Sequence, residues 1–256
     1  MNLGLQNKNV LITGASRGIG FAIAESFLKE GAKVMLVSRG SEQLKESVSL
    51  LRDKFGDSQV EIGVCDCANQ ESLKSLSKKI IQKWLKIDII ISNVGDGRSV
   101  SEAIPSDMEW KKSWSNNFES ALLTSRIFLP FLQKSKGCLL FISSIAGVEA
   151  FGAPVNYSTA KSAIIAFSKN LSRKVAEDVR VNVIAPGNII FPGSSWDIKM
   201  QKNPLDTQEI IANSVPMKRF GMPDEIADAV VFICSDRAKF ITGSVLVIDG
   251  GQTVGV

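Results

Sequence analysis

Short apolar runs alternate with amphipathic segments of helical length along almost the whole 256-residue chain. We assign strands to residues 9–13, 33–38, 60–65, 87–92, 138–143, 180–185 and 244–248, and helices to residues 18–30, 41–54, 70–84, 106–133, 157–177 and 223–235. Several of these strands are apolar on both faces, which a parallel strand covered by helices on each side requires. The alternation predicts one doubly wound α/β domain over residues 1–256, with ligand sites at the carboxyl ends of its strands.

The charge balance argues against a nucleic-acid or membrane-surface partner. The chain has 30 basic and 26 acidic residues, a formal net charge of +4 and no block of five like charges.

Its N-terminal residues lead straight into a strand without a signal-peptide pattern, and no run of 18 apolar residues occurs. We therefore expect a cytoplasmic protein.

The four cysteines, Cys65, Cys67, Cys138 and Cys234, lack Cys-x-x-Cys spacing, and the chain contains no histidine to complete a zinc site. We expect buried thiols in a reducing compartment and no metal. The missing histidine also excludes a Ser-His-Asp hydrolase and removes the commonest general acid/base.

Tyr157 is the only tyrosine of the chain, and Lys161 follows it by four residues. On a helix the two side chains share one face, with Cβ atoms about 5–6 Å apart. A neighbouring ammonium group stabilises a phenolate, which would lower the tyrosine pKa and make it a usable acid and base. Taken alone, the pair also fits an ordinary surface contact.

Residues 13–20 form a glycine-rich turn, Thr-Gly-Ala-Ser-Arg-Gly-Ile-Gly, between the first strand and the first helix. Glycines let the backbone approach a pyrophosphate, and the free N–H groups of a helix N-terminus attract its charge. A lone glycine triplet is a weak signal, but its place between strand and helix favours dinucleotide binding.

Gly14, Gly18 and Gly20, followed by Tyr157 and Lys161, resemble the motifs of the short-chain dehydrogenase/reductase family. The likeness continues through Asp66 after the third strand, residues 92–95 (Ser-Asn-Val-Gly), Asn117, residues 141–144 (Phe-Ile-Ser-Ser), Pro186-Gly187, and the stretches 219–225 and 248–251. It implies a Rossmann-type, seven-stranded parallel sheet of order 3-2-1-4-5-6-7 with helices on both faces.

The resemblance implies hydride transfer between a nicotinamide and a carbonyl or alcohol. Tyr157 would exchange the proton, Lys161 would lower the tyrosine pKa and bind the nicotinamide ribose, Ser144 would hold the substrate oxygen, and Asn117 would position a water. The implied cofactor-binding residues are Gly14, Ser16, Arg17, Gly18, Ile19, Gly20, Ser38, Arg39, Asp66, Cys67, Asn93, Gly95, Tyr157, Lys161, Pro186, Gly187 and Ile189.

NADPH is the expected cofactor, because the second strand ends in Ser38-Arg39 rather than in the acid that binds a ribose 2′-hydroxyl. An arginine pairs with a 2′-phosphate through two hydrogen bonds, and Arg17 adds a second positive charge within the glycine-rich turn. Two solvated surface arginines are the alternative interpretation.

The chain departs from the family after Gly187, where Phe191 stands in place of a threonine that contacts the cofactor. Residues 188–206 lack clear periodicity, and we expect them to form a substrate lid within the domain. An ordered surface loop is the alternative. Phe151, Phe191 and Trp196 are candidates to line an apolar pocket, and Lys199 and Lys202 to attract an acid group.

The whole-chain pattern is most similar to 3-oxoacyl-acyl-carrier-protein reductases and related ketoreductases, although Glu177-Asp178 lies where a basic carrier-binding surface is expected. The alternatives are a dehydrogenase of a sugar, polyol or cyclic alcohol, and a dinucleotide-binding sensor without turnover. The resemblance also implies a homotetramer formed through residues 121–132 and 163–171.

Overall fold

The computed structural model describes residues 2–97 and 102–255. Their strands form one parallel sheet of seven strands in the order β3-β2-β1-β4-β5-β6-β7, as predicted. The strands are β1 (Asn9–Thr13), β2 (Lys33–Ser38), β3 (Val60–Val64), β4 (Ile89–Ser92), β5 (Cys138–Ile142), β6 (Arg180–Pro186) and β7 (Val245–Ile248). The order reverses between β1 and β4, and this switch point is where doubly wound sheets bind their ligands.

Helices cover both faces of the sheet. They are α1 (Gly18–Lys29), α2 (Ser41–Phe55), α3 (Gln70–Trp84), α4 (Asp107–Trp114), α5 (Ser120–Ser135), α6 (Val155–Val175), α7 (Ser195–Lys202), α8 (Pro204–Ser214) and α9 (Pro223–Cys234). Short 3-10 turns occur at Asp57–Gln59, Ile145–Gly147 and Asp236–Ala238.

Alternate residues of each central strand supply two apolar clusters, one on each face. On β1, Val10 and Ile12 join the cluster that contains α1, α2 and α9, whereas Leu11 joins the cluster that contains α3, α5 and α6. Full burial of one such side chain stabilises the fold by about 1.5–3 kcal/mol. Because the strands are buried on both faces, their amino-acid sequences are almost continuously apolar.

The segment predicted as one helix over residues 106–133 is divided. A π-helical turn, Ser115–Glu119, separates α4 from α5. Side chains satisfy backbone carbonyls there, since Ser120 Oγ donates to Asn116 O at 2.6 Å and Asn117 Nδ2 donates to Ser113 O at 3.0 Å. Hydrophobic periodicity does not detect one extra residue in a turn, although such turns are frequent at functional sites.

Residues 188–206 contain more regular structure than their weak periodicity suggests. Helix α7 begins after Ser194, whose Oγ accepts from Asp197 N at 3.1 Å, and α8 begins with Pro204. A serine cap and a proline in the first turn are helix-start signals that do not depend on apolar spacing. Both helices are short and largely exposed, so little apolar pattern marks them.

No helix within the described residues has the length and apolar character needed to cross a bilayer.

Candidate active site

Tyr157 and Lys161 lie one turn apart on α6, beside the carboxyl end of β5. Lys161 Nζ is 5.7 Å from the centroid of the Tyr157 ring and donates to Ile142 O at 3.1 Å. The ammonium group therefore faces the ring and the strand end. It is deeply enclosed, because only 3% of Lys161 is exposed.

Burial dominates the titration of both groups. It lowers the pKa of Lys161 to about 8, because a cation is costly in a poorly solvated site. It also raises the pKa of Tyr157, and the charge of Asp96 raises it further, while a hydrogen bond with Ser144 acts in the opposite direction. The tyrosine pKa is thus raised rather than lowered as the sequence suggested, because burial and the charge of Asp96 together outweigh the hydrogen bond with Ser144.

Ser144 follows β5 and begins the 3-10 turn Ile145–Gly147. Its Oγ accepts from Ala146 N at 3.2 Å and is hydrogen-bonded to Tyr157. The turn packs closely on α6, since a Cβ atom at Gly147 would lie 2.7 Å from the backbone carbon of Lys161. The two hydroxyl groups are therefore held together at one point of the cleft.

Asn117 lies in the π-helical turn and is fully buried. Its Oδ1 accepts from Asp96 N at 3.1 Å, and its Nδ2 donates to Asp96 O at 3.1 Å. A Cβ atom at Gly95 would lie 2.8 Å from Lys161 Nζ and 3.0 Å from Asn117 Oδ1. The Asn117 side chain thus clamps the segment after β4, and its water-positioning role stays a prediction.

Asp96 and Gly97 were not singled out from the sequence, yet both adjoin Tyr157. A Cβ atom at Gly97 would lie 3.3 Å from Tyr157 Cζ, and Asp96 contributes to the raised tyrosine pKa. The sequence pattern that could have identified them is an acid followed by a second glycine, directly after Gly95. Both residues therefore belong to the surroundings of the Tyr157 side chain.

The glycine-rich turn is tied to the end of β4. Asn93 Nδ2 donates to Thr13 O and Gly14 O at 3.1 and 2.9 Å, and Asn93 N donates to Thr13 Oγ1 at 3.0 Å. Gly14 and Gly18 adopt φ values of 64° and 57°, which favour glycine. Among the residues that the structure describes, no side chain caps the N-terminus of α1, so its first N–H groups, from Ile19 and Gly20, can bind an anion.

The predicted adenosine side lies along the ends of β1, β2 and β3. Ser38 Oγ donates to Ser16 Oγ at 3.3 Å, and Arg39 Nη1 donates to Asn116 Oδ1 at 3.4 Å. Asp66 Oδ1 accepts from Ala68 N at 3.0 Å, which fixes the turn after β3. Asn116, which directly precedes Asn117, is a further residue of this surface that the sequence reasoning missed.

Cys67 is 3% exposed and packs in the apolar cluster of α3, α5 and α6. Its hydrogen bond with Cys65 and its burial hold the pKa of its thiol well above the usual range. The same bond lowers the pKa of Cys65 to about 7. All four cysteines are free and buried, and no cluster that could hold a metal ion is found in the described part of the chain.

The last predicted cofactor residues follow β6. Gly187 N donates to Ile248 O at 2.9 Å, and a Cβ atom at Gly187 would lie 2.7 Å from Asp249 Cα, so this position requires glycine. Ile189 is buried and bridges Gly221. It also borders a cavity of about 360 Å³ between β7, α9 and the segment after α8, which none of the four predicted catalytic residues lines. Pro186 ends β6, and Gly187 and Ile189 follow it at the carboxyl edge of the sheet, where the glycine-rich turn also lies.

Known proteins match the chain over nearly its full length. A family model described as enoyl-(acyl carrier protein) reductase matches residues 14–253. The chain is 35% identical to a 3-oxoacyl-(acyl-carrier-protein) reductase, FabG, of Chlamydia trachomatis, over 97% of this chain and 98% of that protein. It is 33% identical to the short-chain dehydrogenase/reductase SDRA of Arabidopsis thaliana, over 97% and 95% respectively.

A solved structure is also similar to the chain over its full length. L-sorbose reductase from Gluconobacter frateurii, complexed with NADPH and L-sorbose, superposes with a TM-score of 0.93. The two chains are 32% identical, and the match covers 100% of each.

Proposed function

The chain belongs to the short-chain dehydrogenase/reductase family, and we propose that it is an NADPH-dependent ketoreductase that interconverts a ketone and a secondary alcohol. The observation that carries the proposal is the meeting of Tyr157, Ser144 and Lys161 at one point of the cleft, on the carboxyl edge of the sheet. The glycine-rich turn lies on the same edge.

The residues present fit a nicotinamide dinucleotide. The N-terminus of α1, which has no side-chain cap within the described residues, and the glycines before it suit a pyrophosphate, and Gly95 lets Lys161 approach the segment after β4 closely. When bound, the dinucleotide supplies or accepts the hydride. Lys161 binds the ribose, and its ammonium group is held at the strand end by a hydrogen bond to Ile142 O.

Tyr157 and Ser144 act on the substrate oxygen. The hydroxyl of Ser144 hydrogen-bonds that oxygen and orients it, while Tyr157 donates its proton to it during reduction. Because burial raises the tyrosine pKa, the phenol is protonated at neutral pH and is ready to act as an acid. In the reverse direction, the deprotonated form of Tyr157, the phenolate, accepts the proton of the alcohol.

Arg39 supports the assignment of NADPH rather than NADH. It stands at the end of β2, where residues 37–40 contain no acid, and its guanidinium group reaches Asn116 across the adenosine side. The test compares kcat/KM for NADPH and NADH in the wild type and in Arg39→Asp. We expect the wild type to prefer NADPH and the variant to lose that preference, whereas equal or better use of NADH by the wild type would contradict the proposal.

The substrate is a small carbonyl compound, and two classes are candidates. The relatives named 3-oxoacyl-(acyl-carrier-protein) reductase favour a 3-oxoacyl thioester, and the likeness to L-sorbose reductase favours a sugar, polyol or cyclic ketone. Glu177 and Asp178, between α6 and β6, disfavour an acidic carrier protein. Initial rates with acetoacetyl thioesters and with a panel of such ketones separate the classes, and absence of thioester turnover eliminates the first.

Three organisational features complete the proposal. Residues 1–256 act as one dinucleotide-binding and catalytic domain, in which residues 188–206 serve as the lid. The protein acts in the cytoplasm. It assembles as a homotetramer through residues 121–132 of α5 and 163–171 of α6, where side chains such as Leu122 and Ile165 are only half-buried.

A further inference from the structure

Cys138 and Cys234 bring two thiols together at the amino edge of the sheet, whereas the candidate active site lies at the carboxyl edge. Cys138 is the first residue of β5, and Cys234 is the last residue of α9. Their sulfur atoms are 3.9 Å apart, although 96 positions separate the two residues in the chain. Both residues are buried, and both are free thiols. The fold therefore assembles a dithiol that no spacing in the sequence indicates.

Arg180 places a positive charge beside this dithiol. It is the partner of Cys138 in the ladder between β5 and β6. Its Nη1 donates to Ile233 O at 2.8 Å and its Nη2 donates to Ser235 O at 3.3 Å, so the guanidinium group is fixed beside the chain neighbours of Cys234. The positive charge favours a thiolate over a thiol at this point of the structure.

The two thiols differ in acidity. The hydrogen bond from Cys234 and the charge of Arg180 lower the pKa of the Cys138 thiol, against the effect of burial. Burial and the neighbouring Cys138 sulfur hold the pKa of the Cys234 thiol well above its usual range. Cys138 is thus the thiol that ionises first, and the thiolate is the nucleophilic form of a cysteine.

A cavity of about 280 Å³ connects this dithiol to the solvent. Both cysteines line it, and so do exposed residues such as Lys136 and Glu177. Asp88, which also lines the cavity, is paired with Lys86 at 3.0 Å, so its carboxylate does not cancel the charge of Arg180. The cavity has room for several water molecules, and hydrogen peroxide is little larger than water.

We propose that Cys138 and Cys234 form a reversible oxidation site for small hydroperoxides. The Cys138 thiolate attacks one peroxide oxygen and the O–O bond breaks, which gives a sulfenic acid on Cys138 and a hydroxide that takes up the proton lost by the thiol. The Cys234 sulfur then displaces the sulfenic hydroxyl group, which leaves as water with the Cys234 proton, and an S–S bond forms. Two thiols are thereby oxidised to a disulfide, and one peroxide is reduced to two waters.

The position of the second thiol has two consequences. A disulfide requires a sulfur–sulfur distance of about 2.05 Å, so the two sulfurs approach each other by about 2 Å when the bond closes. Closure ends the oxidation at a state that thiols reduce, before the irreversible sulfinic acid forms. The proposal does not depend on the proposed function, because the site lies at the other edge of the sheet and its chemistry needs no dinucleotide.

The test treats the folded, reduced protein with hydrogen peroxide, alkylates the remaining thiols, and follows the mass of the intact chain and of its peptides. The mass before alkylation is expected to fall by about 2 Da, with the peptides of Cys138 and Cys234 linked and dithiothreitol reversing the change. The chain unfolded in urea is the matched control, since it lacks the assembled pair, and it is expected to show no preference for this linkage. Formation of the disulfide only in urea contradicts the proposal, and so does a linkage that joins Cys65 to Cys67 instead.

Single variants separate the roles of the two sulfurs. In Cys234→Ser the sulfenic acid on Cys138 has no partner, so dimedone is expected to label Cys138 after peroxide treatment. In Cys138→Ser the remaining Cys234 thiol is expected to stay unlabelled. Circular dichroism verifies that each variant is folded. Equal labelling of the two variants contradicts the assignment of Cys138 as the attacking thiolate, and absence of label from both contradicts the site itself.

Discussion

Tyr157 is the only phenol of the chain, and no histidine is present to replace it. Its hydroxyl meets that of Ser144, and the ring lies between Lys161 and Gly97. Positioned proton transfer accelerates such a reaction by about 10²- to 10⁴-fold. The site therefore depends on one side chain for its proton.

Tyr157→Phe is expected to lower kcat for ketone reduction by about 10²- to 10⁴-fold, because it removes the proton donor and keeps the ring. NADPH binding is expected to change little, since the glycine-rich turn and Arg39 are untouched. Steady-state rates and a fluorescence titration measure the two effects, and Ser158→Ala on the next position of α6 is the control. Turnover close to that of the wild type would exclude Tyr157 as the acid.

The pH dependence is expected to differ between the two reaction directions. Burial lowers the pKa of Lys161 to about 8, so its positive charge is present below that pH and is lost as the pH rises through it. Reduction uses the protonated phenol and the lysine cation, so its kcat/KM is expected to hold up to about pH 8 and then to fall. Alcohol oxidation uses the phenolate, and its rate is expected to rise with pH because the pKa of Tyr157 is raised.

Profiles of kcat/KM between about pH 6 and 10 test both directions. Lys161→Met carries no titrating group, so the fall in reduction near pH 8 should disappear in that variant even though its rate is low. A pH-independent oxidation rate would contradict a raised tyrosine pKa.

The residue types at the site could be predicted from the sequence, but their electrostatic environment could not. The spacing of Tyr157 and Lys161 places them on one face of a helix whatever else is nearby. The direction of the tyrosine pKa shift depends on burial, on Ser144 and on Asp96, and these two residues lie in parts of the chain other than the helix of Tyr157. Only the fold brings these together.

At the scale of elements, packing against the end of β4 positions the glycine-rich turn. A Cβ atom at Gly20 would lie 2.4 Å from Gly14 O and 2.6 Å from Asn93 Nδ2. The backbone oxygen cannot move without disturbing β1 or α1. Gly20 is therefore a packing requirement of the turn, whereas Gly14 and Gly18 are required by their positive φ.

Gly20→Ala is expected to destabilise the protein by about 1–3 kcal/mol, as overpacking does, and to weaken binding of both dinucleotides by displacing α1. Gly40→Ala is the control, because a Cβ atom there meets nothing within 4 Å. It precedes α2, and its cost is expected to be below about 1 kcal/mol. Denaturant unfolding and a dinucleotide titration measure both effects, and equal stability of the two variants would contradict this packing argument.

The elements with strong apolar patterns were predicted, and those built by side-chain caps were not. Strands such as β4 can be predicted from their apolar residues, and α1 can be predicted from its position after the glycine-rich turn. The π-helical turn at Asn117 depends on the bonds from Ser120 Oγ and Asn117 Nδ2 to backbone carbonyls, and α7 depends on its Ser194 cap. Such bonds involve single polar residues, whose sequence pattern is too short to predict a helix or a turn without ambiguity.

At the scale of the whole molecule, the sheet order follows from the alternation of strands and helices together with the family resemblance, and it is confirmed. The tetramer stays a prediction. On α5, Leu122 is half-buried and Arg126 is exposed, while Ala121 and Ser125 face the core. The outer side of α5 thus combines an apolar residue with a charged one, as protein interfaces often do.

Light scattering is expected to give a mass about four times that of the 27.7 kDa chain. Leu122→Glu places a carboxylate on the outer side of α5 and is expected to lower the mass, because an unpaired charge is costly within an interface. Leu50→Glu on α2 is the matched control, since Leu50 is 64% exposed and lies away from α5 and α6. A monomer mass for the wild type would contradict the tetramer, and an unchanged mass for Leu122→Glu would place the contact elsewhere on the molecule.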